Sequence, residues 1–224
     1  MCDMDNLLIL TKLDWTNHVQ KLELTINKLK VKVLKCNIKK CFFVKTEMEY
    51  LGLWVTRDGV KPINKKIKTI TNMAPPTSWK EIKMFIGVIN CYHIIWPRWA
   101  HTLAPLTKLT SINRKFKWTN VEQDDFGKVK QTVARDTLLT YPGFNETFKI
   151  HTNDSAWQLG SVIIQKGKPI AFYSIKITGA HKRYTVIEIE LLSIIETLKE
   201  FRTILLGKKL RIYTDHKNLT CKFL

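Results

Sequence analysis

The sequence predicts a mixed α/β fold in which a helical segment precedes a mixed sheet. Two observations predict it. Between 61 and 113, apolar residues recur every three or four positions, which is the period of amphipathic helices. From Phe148 onward, three segments alternate like strands and lead to a long helix and then a fourth strand. Three strands, a helix and a strand that can pair in parallel are typical of a mixed α/β layout.

The first part of the chain is predicted to begin with a strand and a helix. The apolar run Leu7–Leu10 predicts a short buried strand. A helix is predicted over 15–35, with Asp14 or Thr16 as its N-cap. Two strands follow at Cys41–Val44 and Tyr50–Val55.

A helical module is predicted next. An Asp58-Gly59 turn leads to Pro62, which suits the first turn of a helix. Ser78 and Glu81 form a capping box for a second helix, since the hydroxyl and the carboxylate can each accept from a backbone N–H. Two more helices are predicted near 101–109 and 121–135. The apolar face of the second helix carries Ile82, Phe85, Ile86 and Ile89.

The sheet region is predicted from alternation and from a second capping box. The strands are Phe148–Thr152, Leu159–Gln165, Ile170–Ile177 and Leu210–Thr214. Thr185 with Glu188 opens the helix that precedes the last strand. Its buried side is predicted to hold Leu191, Ile194, Ile195, Leu198 and Leu205.

Charge indicates the class of partner. Lys and Arg total 37 against 19 Asp and Glu, a net charge of +18. Such an excess favours a polyanion, because neutralising phosphates releases counterions and drives nucleic-acid binding. We expect no membrane partner, since no apolar run reaches the length of a span. The five cysteines include no C-x-x-C pair, so a cytoplasmic or nuclear protein with reduced thiols is expected.

Several short blocks, in order along the chain, resemble the Pol polyprotein of gypsy-type LTR retrotransposons. They are Cys36–Cys41, Glu47–Gly52, Pro76–Glu81, Phe85–Asn90, Leu103–Thr107, Phe116–Thr119, Thr152–Ser155, Pro169–Ser174, Glu190–Leu192 and Tyr213–His216. The resemblance implies four segments: a reverse transcriptase palm remnant (1–60), a helical thumb (61–113), a connection (114–145) and a truncated RNase H-like domain (146–224).

The resemblance also implies carboxylates that hold two Mg²⁺ or Mn²⁺ ions for each of two activities, DNA synthesis and hydrolysis of RNA in hybrids. For synthesis, Asp5 matches the first member of the family's Asp pair, and Asn6 replaces the second. For hydrolysis, Glu190 and Asp215 match two acids, and Asn153 stands where the first Asp is expected. The family's last Asp would lie after Leu224.

These replacements predict impaired catalysis, because Asn is neutral and attracts a cation less than Asp does. Asp154 is a substitute only if its strand ends or bulges there, since neighbouring strand residues point to opposite faces. The thumb resemblance places four lysines against a duplex backbone: Lys66, Lys68, Lys80 and Lys83.

Three interpretations remain open at this stage. The first is a fragment with residual divalent-metal-dependent RNase H activity. The second is a non-catalytic module that binds an RNA–DNA hybrid or duplex through phosphates, with the rest of a retroelement polyprotein as a further partner. The third is an inert remnant of a decaying element.

Overall fold

The computed structural model describes residues 2–3, 6–11, 14–111, 116–152, 158–177, 179, 181–215 and 219. The chain divides into two compact units, Met1–Arg57 and Asp58–Leu224. In chain order, the helices are α1 (Trp15–Val31), α2 (Asn64–Thr71), α3 (Trp79–Asn90), α4 (Trp99–Lys108), α5 (Asn120–Val133), α6 (Val186–Glu200) and α7 (Arg202–Leu205). The strands are β1 (Cys2–Asp3), β2 (Asn6–Leu7), β3 (Met48–Tyr50), β4 (Leu53–Val55), β5 (Val60–Pro62), β6 (Phe148–Thr152), β7 (Gln158–Gln165), β8 (Lys168–Lys176) and β9 (Leu210–Tyr213).

In the first unit, α1 begins as predicted and ends early. The Asp14 carboxylate accepts from the Asn17 N–H at 3.0 Å, which caps the helix. The helix stops at Val31 because Val33 adopts a left-handed φ of 57°, a common way to end a helix. None of the residues of α1 is buried.

Three strand predictions in this unit are corrected. The predicted strand Tyr50–Val55 is instead the hairpin β3–β4, because Leu51 and Gly52 have φ values of 50° and 79° and make a tight turn. Cys41–Val44 forms no strand. Strand β2 covers only Asn6–Leu7, which pairs with β1, and within Leu7–Leu10 only Leu8 is buried.

In the second unit, the helical module follows the predicted apolar face. Ile82, Phe85, Ile86 and Ile89 of α3 are all buried. Phe85 packs on Phe126 of α5 with ring centroids 4.7 Å apart. Pro62 is the exception to the predicted order, because it ends β5 and α2 starts only at Asn64.

The four-stranded sheet has the order β8-β7-β6-β9, and β9 pairs parallel to β6 as expected. Strand β8 also contacts the helical module. The Ser174 hydroxyl accepts from the Ala100 N–H at 3.0 Å, near the start of α4. Arg98, the residue before that helix, supplies no side-chain cap, so Ser174 satisfies a free N–H of the first turn from a distant strand.

Leu205 is buried and Leu198 packs against the sheet core, as predicted, but the part of α6 that faces β7 is polar. Leu191 and Ile195 are 44% and 39% exposed, whereas Glu190, Ser193 and Thr197 are buried. Ser193 donates to the Gly160 carbonyl of β7 at 3.3 Å. Small side chains on both elements let the helix approach the strand closely, and apolar periodicity does not report that contact.

The apolar core of the sheet region lies under α6 and α7. Its buried members are Phe148, Ile150, Ile163, Ile170, Ala171, Tyr173, Phe201 and Leu205. Among the described residues, no helix is both long and apolar enough to cross a membrane.

Candidate functional site

A capping box determines where α6 begins and therefore where Glu190 lies. The Thr185 N–H donates to the Glu188 carboxylate at 2.7 Å, and the Glu188 N–H donates to the Thr185 hydroxyl at 3.4 Å. The backbone and hydroxyl of Thr185 donate to Glu188 and lower the pKa of its carboxyl. This predicted cap is confirmed, and it starts the helix at Val186.

Glu190 joins α6 to the end of β9. Its side chain is only 3% exposed, and its Oε2 accepts a hydrogen bond from the Thr214 hydroxyl. A buried carboxylate is unfavourable unless donors or cations satisfy it, so this contact is part of what allows the burial. Asp215 follows Thr214 directly and is exposed.

The end of β6 is joined to the same edge of the sheet. The Thr152 hydroxyl donates to the Tyr213 carbonyl at 3.2 Å, and His151 pairs with Tyr213 in the parallel register. The carboxyl ends of parallel strands meet at one edge, so β6 and β9 end side by side. The predicted site residue Asn153 and its neighbour Asp154 lie outside the described residues.

Glu190, which contacts Thr214, and Asp215, which follows it in sequence, each carry carboxylate oxygens. Such oxygens are the ligands that Mg²⁺ and Mn²⁺ prefer. Within the described ranges, no group of three or more His, Cys, Asp or Glu side chains is placed to hold a metal ion. Glu190 and Asp215 are two of the acids that the resemblance implies for a metal site, and their role as ligands stays a prediction.

Of the two predicted polymerase positions, only Asn6 is described, and it lies on β2. Asp3 pairs with Asn6 across the hairpin. Asp5 lies outside the described residues. The Asn6 side chain is exposed, and its carbonyl accepts from the Tyr50 hydroxyl at 3.1 Å.

The four lysines predicted to contact nucleic acid are all exposed, two on α2 and two on α3. None of the ion pairs seen among the described residues involves Lys66, Lys68, Lys80 or Lys83. Lys83 Nζ lies 3.7 Å from the centroid of the Trp79 ring, and the Trp79 indole donates to the Thr110 carbonyl at 3.1 Å. These four cations are therefore available to an external anion.

Sequence reasoning missed the groups that support Glu190. Ser193 and Thr197 follow it on the same face of α6, and the Thr197 hydroxyl lies 2.7 Å from that of Ser161 on β7. Thr214 was overlooked as a hydrogen-bond donor. A signal existed, because Glu190, Ser193 and Thr197 are spaced by three and four residues.

Known proteins that resemble this chain include reverse transcriptase domains and retrotransposon polyproteins. Residues 118–212 match the family model of the RNase H-like domain found in reverse transcriptase. The Pol polyprotein from transposon 297 of Drosophila melanogaster is 36% identical over 205 residues, which are 91% of this chain and 19% of that protein. The chain is homologous to the Pol polyproteins of LTR retrotransposons.

A further Pol relative comes from a second organism. The transposon Tf2-7 polyprotein of Schizosaccharomyces pombe is 29% identical over 226 residues, which are 98% of this chain and 17% of the polyprotein. This Pol homologue therefore spans about a fifth of the length of its curated relatives.

Solved reverse transcriptases share the fold. A foamy viral protease–reverse transcriptase in complex with an RNA/DNA hybrid superposes with a TM-score of 0.77 at 21% identity, over 89% of this chain and 28% of that one. The same viral enzyme in complex with double-stranded DNA gives a TM-score of 0.75 at 21% identity, over 90% of this chain and 43% of that one. The mixed helix-and-sheet fold class predicted from the sequence is confirmed.

Proposed function

We propose that this Pol homologue binds an RNA–DNA hybrid or a duplex through the phosphate backbone and is catalytically impaired. The observation that carries binding is the set of four exposed lysines on α2 and α3, none of them in an ion pair with a described residue. The net charge of +18 adds long-range attraction for a polyanion. The nucleic acids bound to the viral enzymes above support the same class of partner.

The proposed organisation follows the resemblance. It has a palm remnant at 1–60, a thumb at 61–113, a connection at 114–145 and an RNase H-like domain at 146–224. Because the relatives are polyproteins, the remaining parts of a Pol polyprotein are the proposed protein partner.

Impaired hydrolysis is proposed from the residue types at the sheet edge. Glu190 and Asp215 can hold a divalent cation through carboxylate oxygens, whereas Asn153 contributes no charge. Mg²⁺ or Mn²⁺, when bound, would activate water and stabilise the phosphate charge. Asn6 lowers the charge of the predicted polymerase pair in the same way, so DNA synthesis is not expected either.

Residual RNase H activity is the second candidate, and one observation favours it. Glu190 is 3% exposed and yet retains a hydroxyl donor at the site that the resemblance assigns to metal binding. If this position served only packing, an apolar residue would stabilise the fold as well as or better than a buried carboxylate. The retained carboxylate therefore favours a role in the site.

Cleavage of a labelled RNA–DNA hybrid in Mg²⁺ or Mn²⁺ distinguishes the two candidates. We expect no cleavage by the native chain and metal-dependent cleavage by Asn153→Asp. Adding Glu190→Gln to Asn153→Asp should abolish the restored activity. Cleavage by the native chain that disappears in Glu190→Gln would establish a working nuclease instead.

Binding is tested separately by titrating a hybrid at several salt concentrations. Lys66→Gln and Lys80→Gln should each lower the dependence of log affinity on log salt by about 0.9, the loss of one phosphate contact. Lys199→Gln is the matched control, because Lys199 is already paired with Glu196 at 2.7 Å. Equal effects of all three substitutions would reject a specific surface on α2 and α3.

A further inference from the structure

The sheet has a second face whose exposed side chains the proposed function does not use. Phe148 and Ile150 of β6 point into the core under α6 and α7. Successive strand residues point to opposite faces. Lys149 and His151 of β6 therefore lie on the other face, together with Arg211 and Tyr213, their register partners on β9.

Two cations lie side by side on this face. Lys149 and Arg211 are paired in the parallel register, and both are exposed. Neither forms an ion pair with a described residue. Like charges opposite each other on neighbouring strands repel, and a bound anion between them would offset that repulsion.

Two rings lie next to the cations. The His151 and Tyr213 rings are stacked, with centroids 4.4 Å apart and planes 3° from parallel. Among the described strands, β9 pairs with β6 alone, and the His151 ring of β6 covers one face of the Tyr213 ring. Tyr213 is 37% exposed, which leaves aromatic surface accessible to a planar ligand.

The two pairs are separated by two residues along each strand, a rise of about 7 Å. A nucleotide presents a planar base and an anionic phosphate over a comparable reach. We propose that this face binds single-stranded nucleic acid, with a base stacked on Tyr213 and a phosphate held between Lys149 and Arg211. An unpaired strand is the fitting partner because the bases of a duplex are already stacked on their neighbours. Proteins that bind single strands combine the same two features, aromatic stacking and backbone-tracking cations.

Fluorescence anisotropy of the full chain with a labelled oligothymidylate, and in parallel with a hairpin duplex, tests the proposal. Tyr213→Leu removes the ring and keeps apolar bulk, and it should weaken single-strand binding about tenfold, within the range of one stacked base. It should change duplex binding less than twofold. Tyr213→Phe keeps the ring and should retain the affinity.

Arg211→Gln should weaken single-strand binding and lower its salt dependence by about 0.7. Lys168→Gln is the matched control, because Lys168 is an exposed cation on β8, at the opposite edge of the sheet. Equal effects of the two substitutions would mean that only net charge matters, and the proposal would be wrong.

Photocrosslinking of the native chain to an iodouracil-substituted oligonucleotide tests the proposal without any substitution, so its result does not depend on whether a variant folds. We expect the crosslinked peptide to contain Tyr213. Crosslinks only to α2 and α3, or a dimer in sedimentation that no longer binds the oligonucleotide, would overturn the proposal. The Lys66→Gln and Lys80→Gln variants separate this site from the proposed function. They should weaken duplex binding and leave single-strand binding unchanged.

Discussion

At the scale of single residues, close backbone contacts decide where substitutions are tolerated. Gly59 is the clearest case. A Cβ at this position would lie 2.1 Å from the Leu139 carbonyl oxygen. That oxygen also accepts from the Val60 N–H at 2.8 Å, in a bridge between β5 and the segment after α5.

Gly59→Ala should therefore separate the two backbones and reduce the free energy of unfolding by about 2 kcal/mol, as overpacking does. Urea denaturation measures the change. Gly127→Ala in α5 is the matched control, because a Cβ there meets nothing within 4 Å, and alanine should stabilise the helix by about 0.5–1 kcal/mol. Equal stability changes for the two variants would contradict the packing argument.

A second prediction concerns the Tyr173 phenol in the sheet core. Burial raises its pKa to about 12, with a further contribution from the negative charges of Glu196 and Glu200. The unfolded chain releases this proton near pH 10, so the unfolded state binds fewer protons between pH 10 and 12. The stability contribution is complete below pH 10 and is lost as the pH rises to 12.

Tyr173→Phe removes this titration. We expect urea midpoints to fall less between pH 8 and pH 11 in the variant than in the native chain. The measurement at pH 8 gives the separate effect of losing the hydroxyl. An identical fall in both proteins would show that Tyr173 does not contribute to alkaline unfolding.

At the scale of elements, the packing of α6 on β7 depends on small polar side chains. Ser193 and Thr197 are fully buried against Gly160 and Ser161. Ser193→Leu would force the helix away from the strand and move Glu190 relative to Thr214. The expected loss of stability is about 3 kcal/mol, at the upper end for overpacking.

Ile195→Leu on the same helix is the control, because Ile195 is 39% exposed and the change conserves volume. Thermal unfolding followed by circular dichroism should show a much lower midpoint for Ser193→Leu and little change for Ile195→Leu. A tolerated Ser193→Leu would mean that the close approach is not required.

At the scale of the whole molecule, the two units differ in how they are stabilised. Helix α1 of the first unit has no buried residue, whereas α3, α4 and α5 of the second each bury three or more. Helical stability in proteins comes mainly from packing an apolar face. We therefore expect the amide protons of α1 to exchange with solvent much faster than those of β6 and β7.

Hydrogen exchange followed by mass spectrometry of peptides measures this difference. The exposed helix peptides within 15–31 and the core strand peptides within 148–165 provide the comparison inside one sample. Equal protection of both regions would show that the chain unfolds as a single cooperative unit.

The sequence alone determined the features that depend on local chemistry. The caps at Asp14 and Thr185, the apolar face of α3 and the strands β6 to β9 follow from short-range hydrogen bonding and periodicity. Glu190 was also selected from the sequence, through the motif it shares with Pol polyproteins. Its predicted role as a metal ligand stays a prediction.

Only the tertiary structure determined which contacts form between segments that are far apart in sequence. The bond from Ala100 to Ser174, the polar face of α6 and the contact of Thr214 with Glu190 join segments far apart in sequence. The turn at Leu51-Gly52 divided a predicted strand because cross-strand pairing outweighed a continuous apolar pattern. Apolar periodicity reports burial in an average environment, whereas packing against particular neighbours selects which small or polar side chains are buried.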